Sequence, residues 1–134
     1  QPSSHVMTGR AQVLVVDDEP SVVTIISRIL KSHDVTTETR GATAIERLGE
    51  MTFDLVLCDM MMPDVDGEDV YRAWCESDSR EASFVIITGG AFTKKAQDFI
   101  DQGNVPVCYK PMNVPLLRGL VDDALLQRSE RTVE

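Results

Sequence analysis

The stretch Asp54-Leu55-Val56-Leu57-Cys58-Asp59-Met60-Met61-Met62-Pro63-Asp64-Val65-Asp66-Gly67 decides the fold. An apolar run ends in one carboxylate, Asp59, and a loop holding Pro63 and Gly67 follows at once. A short apolar run bounded by turn residues reads as a buried strand. Asp59 is then expected at the carboxyl end of that strand, the edge where open α/β sheets bind their ligands. That position makes Asp59 the candidate nucleophile.

Working outward, the same grammar repeats. Val13 to Val16, Val35 to Arg40, Phe84 to Ile87 and Val105 to Tyr109 read as four more strands, with Val35 to Arg40 near an edge. Pro106 inside the last run confines it to an edge or to a strand's first residue. Between the strands the apolar period becomes helical: Val22 to Leu30 after Pro20, then Ala42 to Leu48, Val70 to Trp74, Ala96 to Ile100 before Gly103, and Leu116 to Leu125. Pro20 suits a first helical turn, where its missing N–H has no partner to lose. Strands that are apolar throughout are buried on both faces. Their alternation with helices therefore predicts an α/β fold with a doubly wound parallel sheet.

A chain of 134 residues is long enough for one domain with a real core. The net charge of −9 argues against binding a nucleic-acid backbone, which needs a basic face. The three cysteines fit no zinc spacing and read as reduced thiols in a cytoplasmic setting. No stretch approaches the length of a membrane span. Residues 1–10 read as linker, 11–126 as the domain, and 127–134 as a polar tail expected to fray.

The polar residues that break the pattern collect at strand ends. Asp17 and Asp18 follow the first strand, Asp59 the third, Thr88 the fourth and Lys110 the fifth. In a parallel sheet these ends share one edge. Taken singly each signal is weak: an Asp pair before a helix usually caps it, and Thr before Gly-Gly usually makes a turn. Their coincidence at one edge carries the reading. Clustered carboxylates need a counter-charge. Oxygen ligands without His or Cys favour a hard ion, Mg2+, for which Mn2+ could substitute. Asp64 and Asp66 do not supply the ligand order of a calcium loop. Acids, metal, Lys and Thr together suit phosphoryl transfer, with a carboxylate able to accept the group. Neither His5 nor His33 lies at a strand end, so the phosphoryl group is expected from outside the chain.

These residues resemble a known family. The Asp17-Asp18 pair, the run from Asp59 through Met62-Pro63 to Gly67, Thr88, and Lys110-Pro111 stand 42, 29 and 22 residues apart from Asp17 to Asp59 to Thr88 to Lys110. This pattern is similar to the receiver domain of two-component signalling, the phosphoacceptor module of response regulators and hybrid histidine kinases. The resemblance covers residues 11–126, and Gly89 to Thr93 is similar to receivers of hybrid sensor kinases. It implies a flavodoxin-like (βα)5 fold with strand order 2-1-3-4-5. It implies that Asp59 accepts a phosphoryl group from a phosphohistidine of a partner kinase or phosphotransfer domain. Asp18, Asp59 and the Met61 backbone carbonyl would hold Mg2+, with Asp17 acting through water. Lys110 would pair with the phosphoryl group, Thr88 would shift toward it, and the face of helix 4, strand 5 and helix 5 would change. The resemblance further implies a cis Lys110-Pro111 bond, a cytoplasmic location, and a monomer or weak dimer. The family's usual aromatic three residues before the lysine is here Val107, and Tyr109 is expected to face away from that position. A rotating aromatic is therefore not expected at Val107; the change should run through the loop from Thr88 to Ala91. Met61 and Gly90, each two residues past a site residue, point in opposite directions for phosphoryl lifetime.

Two other classes compete. A metal-dependent phosphatase acting through an aspartyl phosphate would usually carry a second acid where Met61 stands. A flavin-binding module would need a phosphate loop where Asp17 and Asp18 would repel phosphate.

Overall fold

The computed structural model describes residues 9–133. Five strands alternate with five helices: β1 (Gln12–Val16), α1 (Pro20–Ile29), β2 (Asp34–Glu38), α2 (Gly41–Glu50), β3 (Leu55–Asp59), α3 (Gly67–Cys75), β4 (Ser83–Thr88), α4 (Lys94–Asp101), β5 (Val107–Tyr109) and α5 (Val114–Val133). The sheet is parallel throughout, in the order β2-β1-β3-β4-β5. This is the doubly wound, flavodoxin-like order that the resemblance implied.

Alternation along the strands splits the core in two. Val13, Val15, Leu55, Leu57, Val85 and Ile87 face α1 and α5. Leu14, Val16, Val56, Cys58, Phe84 and Ile86 face α2, α3 and α4. The central strand β3 is buried along its whole length, including Asp59. Edge strand β2 is only partly buried, which explains its weak apolar pattern.

Two acids that could suggest a calcium loop are helix caps instead. The Asp64 carboxylate accepts the Gly41 and Ala42 N–H groups at 3.2 and 2.8 Å. Those bonds draw its pKa below the ordinary carboxylate value. Asp66 and Asp69 form a reciprocal capping box at the start of α3. Thr93 caps α4 through its hydroxyl. Gly103 ends that segment at φ +73°, a conformation side chains resist.

The expected fifth strand from Val105 is shorter than predicted and begins at Val107. Pro106 accounts for this: its carbonyl accepts the Ile86 N–H at 3.0 Å, but proline has no N–H to continue the ladder downward. The polar tail expected from Gln127 is helical in the structure. Helix α5 continues to Val133. The Arg128 guanidinium donates to Asp54 Oδ2 and to the Arg10 carbonyl, both at 3.0 Å, and Arg131 donates to the Glu81 carbonyl at 2.9 Å. Asp54 is 7% exposed and also accepts the Gln12 N–H, so Arg128 answers a carboxylate buried under the sheet. Arg128→Ala is expected to lower stability by about 1–2 kcal/mol, because it leaves that carboxylate short of a charged partner. Urea unfolding of the two proteins measures this, and an unchanged midpoint would contradict it.

Candidate functional site

The carboxyl ends of β1, β3, β4 and β5 bring the five predicted side chains together. Asp17 and Asp18 leave β1, Asp59 closes β3, Thr88 closes β4, and Lys110 follows β5. One oxygen from each of Asp17, Asp18 and Asp59 can be chosen so that all three lie within 4.8 Å of one another. Asp17 is fully buried, Asp59 is 5% exposed and Thr88 is 1% exposed. Asp18 is the more open of the acid pair.

The Lys110 ammonium lies 2.7 Å from Asp17 Oδ2, 3.3 Å from Glu19 Oε1 and 3.5 Å from Asp59 Oδ2. Its nearest partner is therefore Asp17 rather than Asp59. Burial works to lower the lysine pKa, but the bond to Asp17 and the charges of Asp59 and Asp17 outweigh it and raise the value. Burial and the neighbouring Asp17 charge push the Asp59 carboxyl up to about 7, against the opposing pull of Lys110. One cation thus fails to neutralise the cluster. A pocket of hard oxygen donors with uncompensated negative charge fits a small divalent cation.

The backbone around the cluster is well anchored. The Asp17 Oδ1 accepts the Glu19 N–H at 2.9 Å, which turns the chain into α1. The Gly67 N–H donates to the Met60 carbonyl at 2.8 Å and locks α3 against the end of β3. The Lys110 N–H donates to the Thr88 carbonyl at 2.8 Å, and the Lys110-Pro111 bond is cis, as expected. The hydroxyl of the predicted site residue Thr88 accepts the Gly90 N–H at 3.1 Å and so shapes the turn after β4.

His33 lies beside the amino end of β2, bonded through Nδ1 to the Ala11 N–H, at the opposite end of the sheet from Asp59. His5 lies outside the described residues. The predicted orientation of Tyr109 is corrected: Val107 and Tyr109 are two apart on one strand, a spacing that places side chains on the same face. Val107 packs into the core facing α4, whereas the Tyr109 ring is 57% exposed and lies 3.8 Å from where a Gly90 Cβ would sit.

Sequence reasoning missed Glu19. Its signal was present as the third acid of Asp17-Asp18-Glu19, but a residue before Pro20 reads simply as the end of the loop. Only the folded chain brings it to Lys110, 91 residues away.

The family model of the response regulator receiver domain matches residues 13–122. Among curated proteins, the chain is 27% identical over 128 residues to the transcriptional regulatory protein ZraR of Salmonella typhimurium, covering 94% of this chain and 29% of that protein. It is 29% identical over 147 residues to the 3',5'-cyclic-nucleotide phosphodiesterase regA of Dictyostelium discoideum, covering 99% of this chain and 18% of that one. The chain thus spans less than a third of the length of these relatives. Among solved structures, a signal receiver domain from Vibrio parahaemolyticus superposes with a TM-score of 0.78 at 27% identity, covering 94% of this chain and 98% of that one. The receiver domain of a sensor histidine kinase of Pseudomonas aeruginosa PAO1, solved with magnesium in its active-site cleft, superposes with a TM-score of 0.76 at 22% identity, covering 87% and 98%.

Proposed function

Because the chain belongs to the response regulator receiver domain family, we propose that it is a signalling switch that accepts a phosphoryl group on Asp59. The observation that carries this reading is the Asp59 carboxylate at the end of β3. It is nearly buried, grouped with Asp17 and Asp18, and within 3.5 Å of the Lys110 ammonium. The donor is a phosphohistidine of a kinase or phosphotransfer domain. An Asp59 oxygen attacks the phosphorus, the P–N bond to the imidazole breaks, and its electron pair stays on the ring nitrogen. Hydrolysis reverses the state: water attacks phosphorus, the P–O bond to Asp59 breaks, and inorganic phosphate leaves.

Asp18, Asp59 and the Met61 carbonyl would hold Mg2+, with Asp17 acting through water. When bound, the ion supplies positive charge to the phosphoryl oxygens. Lys110 supplies a second positive charge to those oxygens. Thr88 donates a hydrogen bond from its hydroxyl to a phosphoryl oxygen, and in turning it lets go of the Gly90 N–H. That release carries the change into the loop after β4 and on to α4, β5 and α5. Val107 cannot take part as a rotating aromatic. The receiver catalyses only its own phosphorylation and dephosphorylation. A protein donor would reach Asp59 over the apolar depression of about 370 Å³ lined by Val22, Ile25, Pro111 and Met112 beside Lys110. The location proposed is cytoplasmic; among the described residues no helix is long and apolar enough to cross a membrane.

Phosphotransfer with Mg2+ present tests the reading. Wild type is expected to take up one phosphoryl group per chain from a kinase or a small phosphodonor, and Asp59→Asn to fall to background. Equal labelling of both proteins would overturn it. Repeated turnover of a generic phosphate ester would favour the phosphatase class instead.

A further inference from the structure

We infer that Glu19 is a positioning residue that restrains Lys110 in the resting protein and opposes phosphorylation. The inference rests on the phosphoacceptor reading of Asp59. Glu19 occupies the N-cap of α1, where a side-chain oxygen normally accepts a free N–H of the first turn. It makes no such bond. The Val22 and Val23 N–H groups go to its backbone carbonyl, and its own N–H goes to Asp17 Oδ1, so none of the local hydrogen bonds needs the carboxylate. The side chain is 61% exposed. Its carboxylate reaches across the mouth of the site to the Lys110 ammonium at 3.3 Å.

Lys110 has three N–H donors and three carboxylates around it, from Asp17, Glu19 and Asp59. A phosphoryl group on Asp59 takes over the lysine's Asp59 contact and draws the ammonium toward its own oxygens, a shift that stretches the contacts to the other two acids. Asp17 is fully buried and tied to the backbone. Glu19 is the exposed partner, free to let go. Until it does so, it holds the lysine toward α1 and adds negative charge where an anionic donor enters. Both effects slow phosphorylation. An exposed pair of this kind sets a modest restraint of about two- to fivefold.

The full chain, Glu19→Gln and Glu19→Asp are compared in three measurements: fluoroberyllate titration with Mg2+ followed by fluorine NMR, Mg2+ titration alone, and labelling rate with a small anionic phosphodonor across ionic strength. Glu19→Gln is expected to bind fluoroberyllate about two- to fivefold tighter, with no gain in Mg2+ affinity, and to label faster with a flatter salt dependence. Glu19→Asp is too short to hold Lys110 but keeps its charge, so it should bind the analogue more tightly while retaining the wild-type salt dependence. A Glu19→Gln protein with unchanged or weaker fluoroberyllate affinity overturns the inference and leaves the Asp59 reading intact. Wild type that binds no fluoroberyllate and takes no label overturns the Asp59 reading, and this inference with it. Equal urea midpoints across the three proteins show that the fold is not the cause.

Discussion

Asp59→Asn is expected to raise the stability of the metal-free protein by about 4 kcal/mol at pH 8, and to lose that advantage as the pH falls to about 4. The cause is the folded carboxyl, moved from its ordinary 3.8 up to about 7 by burial and by Asp17. Between these two values the folded state holds a proton that the unfolded chain has already released. Wild type therefore loses stability as the pH rises through this window, and carries the whole penalty above about 7. Below the lower value both states are protonated and the penalty vanishes. Asparagine keeps the shape without the charge, and Lys110 keeps its contacts to Asp17 and Glu19. The same penalty makes Mg2+ a strong stabiliser of wild type, worth about 2.7 kcal/mol at a hundredfold excess over Kd, and a poor one for Asp59→Asn. Thermal unfolding from pH 4 to 8, with and without Mg2+, measures all of this. An Asp59→Asn protein no more stable than wild type at pH 8 without metal would show that Asp59 carries no electrostatic strain.

Gly67→Ala is expected to cost about 2 kcal/mol and to weaken Mg2+ binding at the same time. A Cβ on Gly67 would sit 2.8 Å from the Asp59 carbonyl oxygen and 3.0 Å from both the Met60 Cα and Ile86 Cδ1. Two of these three atoms are backbone, so no rotamer change relieves the contact. Either α3 moves off the sheet or the end of β3 moves, and that end carries Asp59. Gly49 provides the control. It lies inside α2 with nothing within 4 Å of its Cβ position, so Gly49→Ala should stabilise by about 0.5–1 kcal/mol. Urea unfolding gives the two signs, and Mg2+ titration shows whether the loss at Gly67 reaches the site. A Gly67→Ala protein as stable as wild type would mean that the two elements meet more loosely than the distances indicate.

Much of the architecture is legible in the chain because it follows from local rules. The apolar runs of β1, β3 and β4 admit only strands buried on both faces, and turn residues mark their ends. Once the sheet is parallel, Asp17, Asp18, Asp59, Thr88 and Lys110 must share an edge. The weaker segments were less readable for equally local reasons. Strand β2 is half-buried and lacks a clear period, and Pro106 shortens β5 from below. The last two turns of α5 show no apolar stripe. They are held by Arg128 and Arg131 reaching acceptors near the start of β1, β3 and β4, and such pairings leave no mark in the sequence around them.

The order of apolar and polar residues determined on its own a parallel sheet covered by helices on both faces, with acids, a threonine and a lysine at one edge, because periodicity and strand ends are properties of neighbours along the chain. Which groups actually meet at that edge was a matter for the tertiary structure. Folding gives Lys110 to Asp17 and Glu19 before Asp59, lays Tyr109 against Gly90 beside an inert Val107, and raises the proton affinity of Asp59 by burying it among other acids. Each of these depends on distances and exposure between residues far apart in sequence, and electrostatic and packing energies are set by those distances rather than by order along the chain.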